Sequence, residues 1–200
     1  MITHNVEQSS PEWFALRAGI PTASNFSKIV TSAGKESKQR KSYATKLAAD
    51  MYAGKILDQY SNEHMERGIE QEAEARELYE LTRGLSVEQI GFITDDKELY
   101  GCSPDGLIGT DGMVEIKCRK AEIQVNTIIK SVPHSENIAQ IQGQMWIAGR
   151  VWCDYVSYHP DLPLFVYRVK ADPVLHKALE LGINEVIAIR DEILIILWKK

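Results

Sequence analysis

The sequence predicts an α/β fold, a mixed central β-sheet flanked by α-helices. Three observations predict it. Leu107-Ile108 and Met113-Val114 are short apolar runs separated by Gly109-Thr110-Asp111-Gly112, and an Asp-Gly pair between apolar runs signals a hairpin. A long charged stretch over residues 62–82 reads as a helix and leads directly into strand-like segments. A second helical pattern, over 137–148, is followed by two alternating segments joined by a Pro-containing turn. No linker or internal repeat divides the 200 residues, so a single domain over 1–200 is expected.

Each element has its own signal. Ser9-Ser10-Pro11-Glu12 opens a helix with a Ser cap and Pro in the first turn. Trp13, Phe14 and Leu16 give it an apolar face, and Gly19 ends it. Thr22-Ala23-Ser24 opens a second helix, to about Val30. Arg17 precedes this hydroxyl-bearing start, which is either a simple cap or an anion site, because free N–H groups at a helix start attract phosphate. Residues 31–41, TSAGKESKQRK, read as a mobile loop leading into a helix that ends near Gly54. Lys35, Lys38, Arg40 and Lys41 there face either a DNA backbone or solvent. In the 62–82 helix, stopped by Gly84, Met65, Ile69, Glu72, Arg76 and Tyr79 follow +4, +3, +4, +3 spacing and share one face. Glu72 interrupts that stripe, either as half of a Glu72–Arg76 ion pair or as a site residue.

Ser86 to Thr94 reads as a strand, with a turn at Asp95-Asp96-Lys97 and a lead from Leu99 to Cys102 into the hairpin. Residues 121–130 and 137–148 read as helices, and 151–158 and 164–169 as strands that extend the sheet. Asp172 caps a terminal helix with Pro173 at its first position, running to about Trp198. Its last apolar stretch, Ile193 to Trp198, either completes the core or packs against another subunit.

Composition narrows the class. The chain is 44% hydrophobic and 26% charged, a globular balance. No apolar run approaches the ~20 residues that span a bilayer, and MITHNVEQSS lacks the regions of a signal peptide. A soluble, cytoplasmic protein with no membrane partner is expected. The net charge of −5 argues against a generic basic nucleic-acid coat but leaves room for a local positive groove. Cys102, Cys118 and Cys153 are widely spaced without a C-x-x-C, which disfavours a disulfide framework, a zinc ribbon and a four-Cys iron–sulfur cluster. The five His are scattered, and none is assigned to a metal.

The hairpin carries the candidate chemistry. Side chains alternate along a strand, so Val114 and Ile116 face one way, into a core, while Glu115 and Lys117 face the other. Asp105 sits at the start of the partner strand. Two carboxylates, with the Ile116 carbonyl between Glu115 and Lys117, offer hard oxygen ligands for Mg²⁺. The Lys117 ammonium then steadies a water or phosphate charge. An ordinary hairpin with a surface Glu and Lys also accounts for the E-x-K triplet. Pro104-Asp105 before the turn and the apolar residues at 114 and 116 favour the metal reading.

Ser103-Pro104-Asp105-Gly106 followed by Val114-Glu115-Ile116-Lys117-Cys118 resembles the active-site motif of the PD-(D/E)XK nuclease superfamily. More narrowly it resembles the phage lambda exonuclease family, the YqaJ-type viral recombinases. Further segments agree in that family's order: Trp13-x-x-x-Arg17-x-Gly19-x-x-Thr22-Ala23-Ser24, Gly68-x-x-x-Glu72, and Gln140-Ile141-Gln142-Gly143-Gln144-Met145-Trp146. The resemblance implies a restriction-endonuclease-like core. It implies Glu72, Asp105, Glu115 and the Ile116 carbonyl as metal ligands, with Lys117 and Gln142 as further catalytic residues and Gln140 less firmly. It assigns Arg17, Ser24 and Ser103 to a 5′-terminal phosphate and Met65 to a wedge that separates the duplex end.

The activity implied is a Mg²⁺-dependent (Mn²⁺ as substitute) 5′→3′ exonuclease on linear double-stranded DNA, of phage or prophage origin in a bacterial host. It would act as a homotrimer ring alongside a single-strand annealing protein. Arg119 stands where relatives commonly have Pro. The same motif also serves restriction or repair endonucleases, and a catalytically inactive nuclease fold used as a DNA-binding module is the third reading.

Overall fold

The fold, a computed structural model, describes residues 1–57 and 63–199, with the backbone alone over 63–70. Among the described residues, seven strands form two sheets. In the smaller, β1 (Ile2–His4), β2 (Phe92–Thr94) and β3 (Gly101–Cys102) pair antiparallel in that order. The larger runs β4 (Gly106–Ile108), β5 (Gly112–Cys118), β6 (Trp152–Tyr158) and β7 (Phe165–Lys170). The Asp-Gly hairpin joins β4 to β5 with Leu107 opposite Met113. β5 is parallel to β6, and β7 returns antiparallel, so this sheet is mixed as expected. A parallel pair needs a long crossover. Here two helices supply it, α4 (Ala121–Lys130) and α5 (Ser135–Ala148); for chain order, the preceding helices are α1 (Pro11–Arg17), α2 (Arg40–Ala53) and α3 (Glu63–Arg83), and the last is α6 (Pro173–Trp198).

Strand alternation on β5 divides the core. Val114 and Ile116 are buried against Ala75 and Tyr79 of α3 and against Val156. Met113 faces the other way, against Ile141 and Met145 of α5. Glu115 follows Met113 on the α5 side, while Glu72 projects from the α3 side. A third cluster packs Phe26 and Ile29 with Tyr43 and Leu47 of α2 and Leu179, Ile183 and Val186 of α6. Gly143 lets α5 close onto it, because a Cβ there would sit 2.2 Å from the Phe26 ring.

The caps at Ser10 and Asp172 form as read: Ser10 Oγ accepts from Trp13 N–H, and Asp172 from Val174 and Leu175 N–H. Three expectations change, and one strand appears that the sequence did not announce. The helix after Thr22 is a six-residue 3₁₀ turn, Ala23–Lys28, so it presents little helix dipole. Residues 86–91 make a single bridge, Glu88 to Leu107, instead of a strand. β1 had no sequence signal, since three residues are too few for alternation to show. Arg40, grouped with the basic loop, is buried; it donates to the Ile29 carbonyl and pairs with Glu185, which removes it from any nucleic-acid surface. On α6, Leu194 joins the core while Ile195, Ile196 and Trp198 are exposed. Among the described residues no helix is long and apolar enough to cross a membrane.

Candidate active site

The site lies where β5 loses its neighbour. The β4–β5 ladder ends at Gly106 and Val114, so among the described residues the edge of β5 beyond Val114 has no strand partner on that side. Ile116 N–H points along this edge and donates to Asp105 Oδ2 at 2.6 Å. In an extended strand a residue's N–H and C=O address the same neighbour, so the Ile116 carbonyl lies on the Asp105 edge too. Asp105 and Glu72 line one cleft of about 460 Å³, together with Gln8, Arg76 and Gln89. Glu72 reaches it from α3 while ion-paired to Arg76, so the ion pair expected from the sequence forms within the lining of the cleft.

Glu115 is 1% exposed. Its Oε1 accepts from Gln140 Nε2 at 2.6 Å and pairs with the Lys117 ammonium, and its Oε2 accepts from Gln144 Nε2 at 2.7 Å. A buried carboxylate needs such donors, and here two amides a helical turn apart and one cation supply them. Gln144 also donates to the Ser103 carbonyl at 3.2 Å, while its buried Oε1 has no partner among the described residues.

Gln142 departs from the role the resemblance gave it. It projects from the opposite face of α5, donates to the Lys170 carbonyl, and accepts from Asp172 N–H and His176. It fastens β7 to the start of α6 and does not meet the carboxylates. The reason is helical geometry: 140 and 144 share a face and 142 does not. That spacing was the available signal for Gln144. Met65 falls among residues whose side chains lie outside the description.

The electrostatics follow from three acids in one place. Burial, then Glu115 and Glu72, hold the Asp105 carboxyl well above its usual range. Burial also raises Glu72, with Arg76 opposing and Glu115 adding. For Lys117, burial pulls the ammonium down, but Glu115 and Asp105 outweigh it and keep it above its ordinary value. Lys117 is therefore a cation here and not a neutral base. The nearby thiols are no nucleophiles: burial pushes Cys118 up to about 11 and raises Cys102 further.

Among the described residues no three acids, histidines or cysteines converge at ligating distance. Each acid is instead turned to a protein donor: Glu72 to Arg76, Asp105 to Ile116 N–H, Glu115 to its amides and Lys117. The donor set still fits a hard divalent cation. It consists of carboxylate and carbonyl oxygens, and the burial and, after it, the mutual repulsion that raise Asp105 and Glu72 are costs such a cation relieves.

A second cluster begins two residues before Asp105 along the chain, at Ser103. Ser103 Oγ accepts from Trp13 Nε1 at 2.8 Å and from Arg17 Nη1 at 3.4 Å. Arg17 Nη2 reaches Ser24 Oγ at 3.3 Å. The guanidinium lies 3.8 Å from the centre of the Trp13 ring. Both hydroxyl contacts are long for N–H···O bonds, Arg17 Nε is buried without a partner, and no carboxylate pairs with Arg17 among the described residues. Burial pulls its pKa down to about 10, so it stays charged near neutrality. A charged, loosely held guanidinium flanked by two hydroxyls has the donor set that an anion needs. The structure thus brings Arg17, Ser24 and Ser103 together, and separately Asp105, Glu115, Ile116 and Lys117 with Glu72 across the cleft.

Comparison with known proteins agrees with this architecture. The model of the YqaJ-like viral recombinase domain matches residues 12–151. An alkaline exonuclease (LHK-Exo) from Laribacter hongkongensis is 33% identical with a TM-score of 0.86, over 95% of this chain and 97% of that one. The structure of LHK-Exo in complex with dAMP gives the same values. A phage related exonuclease from Haemophilus somnus 129PT, 17% identical, superposes with a TM-score of 0.70 over 89% of this chain and 96% of that one, a likeness of fold. No curated protein sequence matches.

Proposed function

This chain belongs to the YqaJ-like viral recombinase family, and on that premise we propose that it is a divalent-cation-dependent 5′→3′ exonuclease acting on linear double-stranded DNA. It releases nucleotides and leaves 3′ single-stranded overhangs. The observation that carries this reading is the adjacency of two unlike sites: the carboxylates with Lys117, and the Arg17 anion seat, bridged by Ser103-Pro104-Asp105. A strand end whose 5′-phosphate rests on Arg17, Ser24 and Ser103 presents its next phosphodiester toward Asp105 and Glu115. The dAMP held by LHK-Exo belongs to the product class such a reaction makes.

Glu72, Asp105, Glu115 and the Ile116 carbonyl would hold Mg²⁺, with Mn²⁺ as a substitute, Glu72 exchanging Arg76 for it. When bound, the metal supplies Lewis-acid stabilisation of charge on the phosphate and the leaving oxygen. Lys117, kept charged by Glu115 and Asp105, orients the attacking water and offsets the negative charge on the phosphoryl oxygens. Gln140 and Gln144 hold Glu115 in one rotamer, the support that ligating carboxylates need. Water attacks phosphorus, the 3′-oxygen of the terminal nucleotide leaves, and the shortened strand keeps a 5′-phosphate for Arg17 to take again.

The family reading adds a ring-shaped homotrimer, a single-strand annealing partner, and a phage or prophage origin in a bacterial cytoplasm. Exposed Ile195, Ile196 and Trp198 on α6 support a subunit contact there.

The test is digestion of linear duplexes with 5′-phosphate or 5′-hydroxyl ends and of closed circular DNA, with and without Mg²⁺. Metal-dependent loss of the linear 5′-phosphorylated duplex, with the circle intact, supports the reading. Cutting of the circle would make the protein an endonuclease.

A further inference from the structure

A second cleft, of about 420 Å³, opens behind Arg17. It is lined by Arg17, Asn25, Lys28, Tyr43, Lys46 and Asp50, among others. Three cations face one carboxylate there, in a chain of net charge −5. The carboxylate is already satisfied: Asp50 pairs with Lys46 at 2.6 Å and accepts from Leu57 N–H at 2.9 Å. Arg17 and Lys28 have no carboxylate partner among the described residues. Lys28 is half-buried, with its ammonium 5.6 Å from the centre of the Tyr43 ring. Desolvation and the nearby Lys46 both disfavour its charge, a cost that a bound anion would offset. Asn25 adds amide donors and already reaches toward Thr22 and Ser24.

Arg17 is common to this cleft and to the seat formed with Ser24 and Ser103, and Ser103 leads to Asp105 on the other side. The order is therefore carboxylates, Ser103, Arg17, Lys28. We propose that Lys28 and Asn25, with Lys46 behind them, form a second phosphate subsite on the 5′ side of the first. This rests on reading Arg17 as the seat of the terminal phosphate. The subsite takes one further phosphate beyond that seat. Two ends carry one: a strand with an overhanging 5′ nucleotide, and a 5′-triphosphate end.

The test is equilibrium binding of the full chain, by fluorescence anisotropy in chelator, to duplexes labelled away from the end. The ends are blunt 5′-hydroxyl, blunt 5′-monophosphate, blunt 5′-triphosphate and a one-nucleotide 5′ overhang with 5′-phosphate. The parent protein is expected to bind at least one of the last two about ten-fold more tightly than the blunt monophosphate, the worth of one good charge-assisted contact. Lys28→Gln is expected to erase that gain and to shallow the slope of log K against log salt by about 0.7 for that end. A gain for the triphosphate alone identifies a polyphosphate end, and a gain for the overhang alone identifies the strand continuation. Equal binding of all three phosphorylated ends, or an equal loss for all three in Lys28→Gln, overturns the subsite. In that case a retained preference for 5′-monophosphate over 5′-hydroxyl leaves the Arg17 seat standing. Loss of that preference in the parent protein overturns the seat and the subsite together.

Discussion

Asp105 Oδ2 accepts the Ile116 N–H at 2.6 Å. This one bond ties the residue before β4 to the unpaired edge of β5 and aligns two proposed oxygen ligands, the Asp105 carboxylate and the Ile116 carbonyl. It also opposes the burial and like charges that hold the Asp105 proton.

Asp105→Asn keeps an acceptor for that N–H and removes the ionisation. The folded Asp105 pKa is raised, so its contribution to stability is fully present below the unfolded value of ~3.9 and is lost as pH rises through the folded value. In chelator, Asp105→Asn is therefore expected to melt above the parent near pH 8, with the gap closing as pH falls toward the ordinary carboxylate range. Each 1 kcal/mol gained appears as about 2–4 °C in Tm for a chain of this size. Added Mg²⁺ should raise the parent's Tm and leave the variant's unchanged. A variant that melts lower at pH 8 would mean that the ionised Asp105 is net stabilising without metal.

Tyr79 lies seven residues, about two turns, beyond Glu72 on α3. Its hydroxyl donates to buried Asp154 at 2.7 Å, and Arg168 grips the same carboxylate through two bonds of 2.8 Å. This network fixes the height of α3 on the sheet. Tyr79→Phe should cost about 1–2 kcal/mol of stability, since Arg168 remains. It should also raise the Mg²⁺ concentration needed for half-maximal cleavage while saturating metal restores the rate. An unchanged metal requirement would leave Tyr79 with packing alone.

The two faces of α5 separate by mutation. Gln144→Ala removes a donor from buried Glu115, and loss of such a supporting partner typically costs 10–100-fold in metal affinity or activity, so a drop of about that size is expected. Gln142→Ala breaks three bonds at the junction of β7 and α6 and should show mainly as a lowered melting temperature. Single-turnover cleavage with thermal melts of both variants distinguishes the roles, and the reverse pattern would restore Gln142 to the chemistry.

Much of this site was legible in the sequence because it rests on short-range rules. The Asp-Gly turn set the register that puts Asp105 near Ile116, and period-two alternation put Glu115 and Lys117 on the face opposite Val114 and Ile116. What failed needed longer-range information. Period 3.6 separates Gln142 from Gln140 and Gln144, but nothing local says which face of α5 meets the sheet. Arg40 sits in a basic run, and only the return of α6 with Glu185, 145 residues later, reveals it as buried. β1 is too short to show a pattern, and it exists because β2 offers an edge.

The most direct measurement is single-turnover cleavage of a linear 5′-phosphorylated duplex by Lys117→Ala in saturating Mg²⁺, with thermal melting to verify folding. The account predicts a folded variant at least about 100-fold slower than the parent, the scale of losing one preorganised donor that stabilises charge in the transition state. Cleavage at the parent's rate would contradict it.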